Sequence, residues 1–169
     1  MVPTVALPHV AISTTLPLVM DQLQPLWSHV RQMRKEVELA LADHPERLRK
    51  ATAMTAAELL ENAIKYGESV PAAAQIVFSL TATPEFIQVQ VVNGCTDREG
   101  VGELARRIER VSNVSDREEF YMARLQELLE QPEQSGQLGI YRIGFEGGFD
   151  LACTYLSDCV TVTATRRVQ

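Results

Sequence analysis

Between residues 53 and 66, Ala53, Ala56, Ala57, Leu59, Leu60, Ala63 and Ile64 fill one continuous arc of a helix, and Thr55, Glu58, Glu61, Asn62, Lys65 and Tyr66 fill the other. Such a helix buries one face and shows the other. The sequence places this face among two pairs of strands. Alternating and β-branched residues run over 74–82 and 86–92 across the turn Thr83-Pro84-Glu85, and again over 149–155 and 159–165 across Leu156-Ser157-Asp158. Because strands arrive in adjacent pairs and helices segregate between them, the expected class is α+β: a two-layer sandwich of a mostly antiparallel mixed sheet with helices on one face.

The remaining segments fit that plan. Residues 5–12 read as a short opening strand broken by Pro8, so 1–15 is expected to be an edge strand or a docking segment. Leu23, Leu26, Trp27, Val30, Met33, Val37 and Leu41 recur at three- and four-residue steps, which predicts a long helix over 16–41 with Pro25 in its first turn or at a kink. That helix could pair with a copy of itself. Asp43-His44-Pro45-Glu46 supplies a cap candidate for a second helix over 45–66, stopped by Gly67. Two polar amphipathic helices are expected near 101–111 and 116–129, within an insertion or lid spanning 96–135 that should be the least buried part of the chain. Residues 140–145 read as a short helix after the loop Ser135-Gly136-Gln137-Leu138-Gly139.

A length of 169 residues suits one domain over 1–169. A net charge of −6 and scattered basic residues argue against a nucleic-acid partner. No run approaches the roughly 20 apolar residues of a membrane span, and Met1-Val2-Pro3-Thr4 lacks a basic leader, so a cytoplasmic location without membrane contact is expected. Cys95, Cys153 and Cys159 show neither disulfide nor zinc spacing. His9, His29 and His44 have no partner pattern.

Glu58-x-x-x-Asn62-Ala63 on a helix, a strand ending in Asn93-Gly94, and Gly136-x-x-Gly139 before a helix stand in the order of the N box and the two glycine boxes of the GHKL (histidine kinase-like) ATPase superfamily, which the chain resembles from about Leu16 to its end. Within it, the chain looks most like the small stand-alone serine/threonine kinases of bacterial partner switching, the anti-sigma-factor type and especially the SiaB-like group. The resemblance implies the Bergerat fold, ATP and Mg²⁺ as cofactors, and a small STAS-like or SiaC-like protein as the partner phosphorylated.

It also implies roles at matching positions. Asn62 would give its side-chain oxygen to Mg²⁺, and Glu58 would orient or deprotonate the acceptor hydroxyl. Lys65 and Tyr66 would flank the phosphates. Gly136, Leu138 and Gly139 would bring backbone close to them. Asn93 and Gly94 stand in the first glycine box. The chain departs from the family there: the overlay places Val92 where an aspartate would accept from the adenine amino group, leaving Asn93 or Asp97 as substitutes. A second reading follows from that departure. The same fold, deficient in nucleotide binding, would act as a regulatory binding module.

Overall fold

The computed structural model describes residues 9–18, 23–132 and 138–168. Its elements run β1 (Val10–Pro17), α1 (Leu23–Ala40), α2 (Glu46–Tyr66), β2 (Gln75–Ala82), β3 (Phe86–Gly94), α3 (Arg98–Asn113), α4 (Arg117–Glu130), α5 (Gly139–Phe145), β4 (Asp150–Leu156) and β5 (Cys159–Arg167). The five strands form one sheet in the order β1-β2-β3-β5-β4, which gives the expected α+β class. Every pairing is antiparallel rather than mixed. The second hairpin accounts for this: β4 goes to the outside, and β5 returns beside β3 in the opposite sense.

Local chemistry makes both hairpins. Thr83 Oγ1 accepts from the amides of Glu85 (3.2 Å) and Phe86 (3.1 Å), closing the first turn. Ser157 and Asp158 both hold positive φ, 52° and 59°, the two-residue turn whose twist matches its strands. Parity then sorts the side chains. Ile76, Phe78, Leu80, Ile87, Val89, Val91, Val160, Val162 and Ala164 are buried on the helix-covered face. On the opposite face Gln88 donates to Thr165 (3.3 Å) and Gln90 to Thr163 (3.1 Å), a polar cross-strand ladder.

Two boundaries at the start of the chain differ from the sequence expectation. The first strand is Val10–Pro17 rather than 5–12, and the first helix begins at Leu23 rather than 16. Val10, Ile12, Thr14 and Leu16 continue a period of two, and Leu16 lies buried opposite Ile76. Pro25 falls in the first helical turn, as expected, where proline is tolerated. The strand is at the sheet edge; residues 1–8 lie outside the described residues.

Helix α2 is the centre of the helical layer, with 12 of its 21 residues buried. Glu46 in its first turn and Lys65 in its last complement the helix dipole. Pro45, not Asp43, takes the N-cap position and offers no side-chain bond. Thr55, expected on the solvent arc, is fully buried; its hydroxyl bonds back to the Ala51 carbonyl at 2.9 Å, as Thr52 does to Leu48 at 2.8 Å. Around Thr55 and Glu58 the polar arc is covered because α5 and the glycine turn after it pack there, while Lys65 and Tyr66 further along stay exposed. By contrast α3 buries three of 16 residues and α4 two of 14, so they are the less buried helices expected.

Candidate functional site

Where the last turns of α2 cross the ends of β3 and β5, a cavity of about 340 Å³ opens. Val91, Val160 and Val162 of the strands give it an apolar floor, and Leu59 and Ala63 an apolar side. Helix α3 forms the facing wall. Asp97 sets its start by accepting from the Gly100 amide at 2.9 Å, and the helical repeat then turns Val101, Leu104 and Arg107 toward the cavity.

Five residues singled out in the sequence meet at this cavity. Asn62 and Tyr66 come from α2, Asn93 from β3, Asp97 from the start of α3 and Gly139 from α5. Tyr66 is 58% exposed and stands at the mouth. Asn93 is 6% exposed; its amide nitrogen donates to the Gly94 carbonyl at 3.0 Å. Strand parity settles which residue of the first glycine box faces inward. Val92 pairs with Val77 and Thr161 on the opposite face, while Asn93 follows Val89 and Val91 toward the helices. An amide, not an apolar side chain, therefore occupies the inward position at this end of β3.

The other singled-out residues lie elsewhere. Lys65 is exposed and does not line the cavity. Leu138 precedes α5, its carbonyl accepting from the Arg142 amide at 3.0 Å, and does not line the cavity either. Gly136 lies outside the described residues. Gly94 serves packing. A Cβ there would run into the Glu68 carbonyl and the Val70 side chain, where the segment after α2 crosses β3 and Glu68 N donates to Gly94 O at 2.8 Å. Gly94→Ala should therefore cost about 2 kcal/mol, lowering the melting temperature by about 4–8 °C for a chain of this size. Gly102→Ala, on α3 with only ordinary contact to Arg106, is the control and should instead stabilise slightly. Equal melting temperatures for both variants would refute the packing role.

Glu58 sits beside the cavity rather than in its lining. Its carboxylate is wedged under the start of α5: Oε1 accepts from Arg142 Nη1 at 2.6 Å, and a Cβ at Gly139 would strike Oε2. A side chain at 139 would thus displace the end of the Glu58 side chain rather than any backbone. Burial pushes the Glu58 carboxyl above its ordinary value, against the opposing pull of Arg142. Arg142 also reaches Glu146 (3.3 Å), which accepts from Tyr121 at 2.7 Å; burial and that bond push the Tyr121 phenol up to about 12. This chain ties α2, α5 and α4 together.

Sequence reasoning missed Arg142, one turn into α5, because nothing in its spacing marks it as the partner of a residue 84 positions earlier. It also singled out neither Cys95 nor Arg107 as a site residue, yet both line the cavity. The signal for Arg107 was available, since it follows Leu104 by three residues on the flank of the α3 apolar stripe.

A nucleotide with its metal is compatible with these residues. The volume lies in the range of small-molecule sites, and the cavity combines apolar walls with the two amides. Among the described residues no three His, Cys, Asp or Glu side chains converge on a metal position. A hard cation held by one carboxamide oxygen would complete its shell with phosphate and water, as Mg²⁺ does. No helix among the described residues is long and apolar enough to cross a membrane.

Fold and cavity together define an antiparallel α+β sandwich with a small-molecule-sized cavity between its layers. No protein-family model matches the chain, and no curated protein matches it significantly in sequence.

Proposed function

We propose that this protein is an ATP-dependent serine/threonine protein kinase of the GHKL type, acting in the cytoplasm on a small STAS-like or SiaC-like partner in bacterial partner switching. The observation that carries the reading is convergence: Asn62, Asn93 and Gly139, chosen from three distant segments, border one cavity. Bound Mg²⁺-ATP would supply the γ-phosphoryl group, whose bond to the β,γ-bridging oxygen breaks as the acceptor hydroxyl oxygen bonds to phosphorus and ADP leaves. Asn62 would offer its carboxamide oxygen to the cation. Asn93, its nitrogen held by Gly94 O, would offer an acceptor to the base. Glu58 would take the proton of the acceptor hydroxyl, through Oε2 or after Arg142 releases Oε1.

The Glu58–Arg142 ion pair favours a second reading. If that pair persists when the partner is present and Oε2 stays packed against Gly139, neither carboxylate oxygen reaches the acceptor hydroxyl and the protein regulates by binding alone.

The test is a melting curve with and without Mg²⁺-ATP. At a concentration 100 times Kd, ligand binding to the native state alone adds about 2.7 kcal/mol, which corresponds to about 5–10 °C. No shift at millimolar Mg²⁺-ATP would retire the kinase and leave the binding module.

A further inference from the structure

Four charged side chains line the cavity, and three of them are already committed. Glu68 accepts from both the hydroxyl (2.6 Å) and the amide (3.3 Å) of Thr96. Asp97 caps α3 through the Gly100 amide. Glu103 pairs with Arg106, whose hydrogen bond is the main reason its carboxyl lies below the ordinary value. Arg107 is the fourth. It is half-buried, and among the described residues it makes neither a hydrogen bond nor an ion pair, although its charge reaches Glu103. A guanidinium turned to a cavity with its donors unspent is an anion contact. We infer that Arg107 binds the anionic group of the cavity's ligand, a phosphate of the nucleotide on the reading above, on which this inference rests for the identity of that ligand.

The acids on the rim strengthen the assignment. With Glu68, Asp97 and Glu103 around the same opening, an anion without its own counter-charge would be repelled. A cation on the protein wall and a metal carried by the ligand would both be needed. Lys65 cannot substitute from its exposed position outside the lining. Arg107 lies on α3 and Asn62 on α2, so the ligand would be gripped from both walls, and its binding would draw α3 toward α2.

The experiment titrates the full chain with Mg²⁺-ATP, adenosine and inorganic pyrophosphate, comparing wild type with Arg107→Gln and Arg107→Lys. Loss of a charge-assisted hydrogen bond should weaken Mg²⁺-ATP and pyrophosphate by about 10- to 100-fold in Arg107→Gln. Adenosine, which carries no phosphate, should bind both proteins equally. Arg107→Lys should recover part of the loss, since it keeps the charge without the fork, and it serves as the readable variant if Arg107→Gln fails to fold. Unchanged Mg²⁺-ATP affinity in Arg107→Gln, or an equal loss for adenosine, would overturn the inference and leave the nucleotide reading standing. If wild type bound pyrophosphate through Arg107 but neither ATP nor adenosine, the anion contact would stand and the nucleotide would fall. Binding of none of the three by wild type would overturn both.

Discussion

Removing residues 149–169 should abolish cooperative unfolding. This segment carries β4 and β5, and β5 is an interior strand between β3 and β4. Its loss would strip Phe149, Leu151, Val160, Val162 and Ala164 from the core and leave β3 an open edge. Truncating one buried phenylalanine typically costs about 3–5 kcal/mol, and whole domains are stable by only about 5–15 kcal/mol. Five buried side chains and a full ladder exceed that margin. The cavity would go with them, because its floor includes Val160 and Val162 and its rim is pinned through this hairpin: Tyr155 donates to the Cys95 carbonyl at 2.7 Å, and the Cys95 amide donates to Asp158 O at 2.8 Å. Calorimetry of the truncated chain is the check. A single sharp transition would show that the first three strands and the helices form a core by themselves.

What the sequence foretold follows from periodicity. Strand pairs joined by short turns, and an Ala-rich helix with a continuous apolar arc, name their own positions because each pattern is local. The edges of α1 and β1 did not, since Leu16 serves equally as the last residue of a period-two run and the first of a helical one. Asn93 was readable in principle from the alternation of Val89 and Val91, yet an alignment anchored on Gly94 shifted the inward position to Val92. Thr55 was misplaced for a different reason. A polar residue can be buried when its hydroxyl is satisfied by the preceding turn, and no hydropathy pattern records that a second layer of helix covers it. The Glu58–Arg142 pair and the Glu68–Thr96 contact are tertiary facts, joining residues 84 and 28 positions apart. They depend on how separate elements seat against one another, which residue spacing within one element does not encode; the Asp97 cap and the Glu103–Arg106 pair, three residues apart, are local.

That pair makes Glu58 and Asn62, one helical turn apart, experimentally separable. If Asn62 holds the cation while Glu58 takes the hydroxyl proton, Asn62→Ala should lose Mg²⁺-dependent ATP affinity and hence all transfer. Glu58→Gln should still bind ATP but transfer about 10²–10⁴-fold more slowly. Glu58→Gln keeps the shape packed on Gly139 and removes both the burial penalty and the Arg142 attraction, two opposed effects, so its melting temperature should stay near that of wild type. The pH profile gives a second signature. Around Glu58, burial raises the carboxyl above its ordinary value, Glu61 from its own helix and Glu146 at the end of α5 push the same way, and together they outweigh the downward pull of Arg142 and Lys65. A base must be ionised to act, so transfer should fall as pH drops through that raised value, and the acid limb should lie above the ordinary carboxylate range, about 4.3 for glutamate. Arg142→Gln removes the largest opposing attraction, so it should move the limb to still higher pH. Undiminished transfer by Glu58→Gln would strip the base role from Glu58. An acid limb that stayed in place in Arg142→Gln would mean that the group titrating in the rate is not this carboxylate.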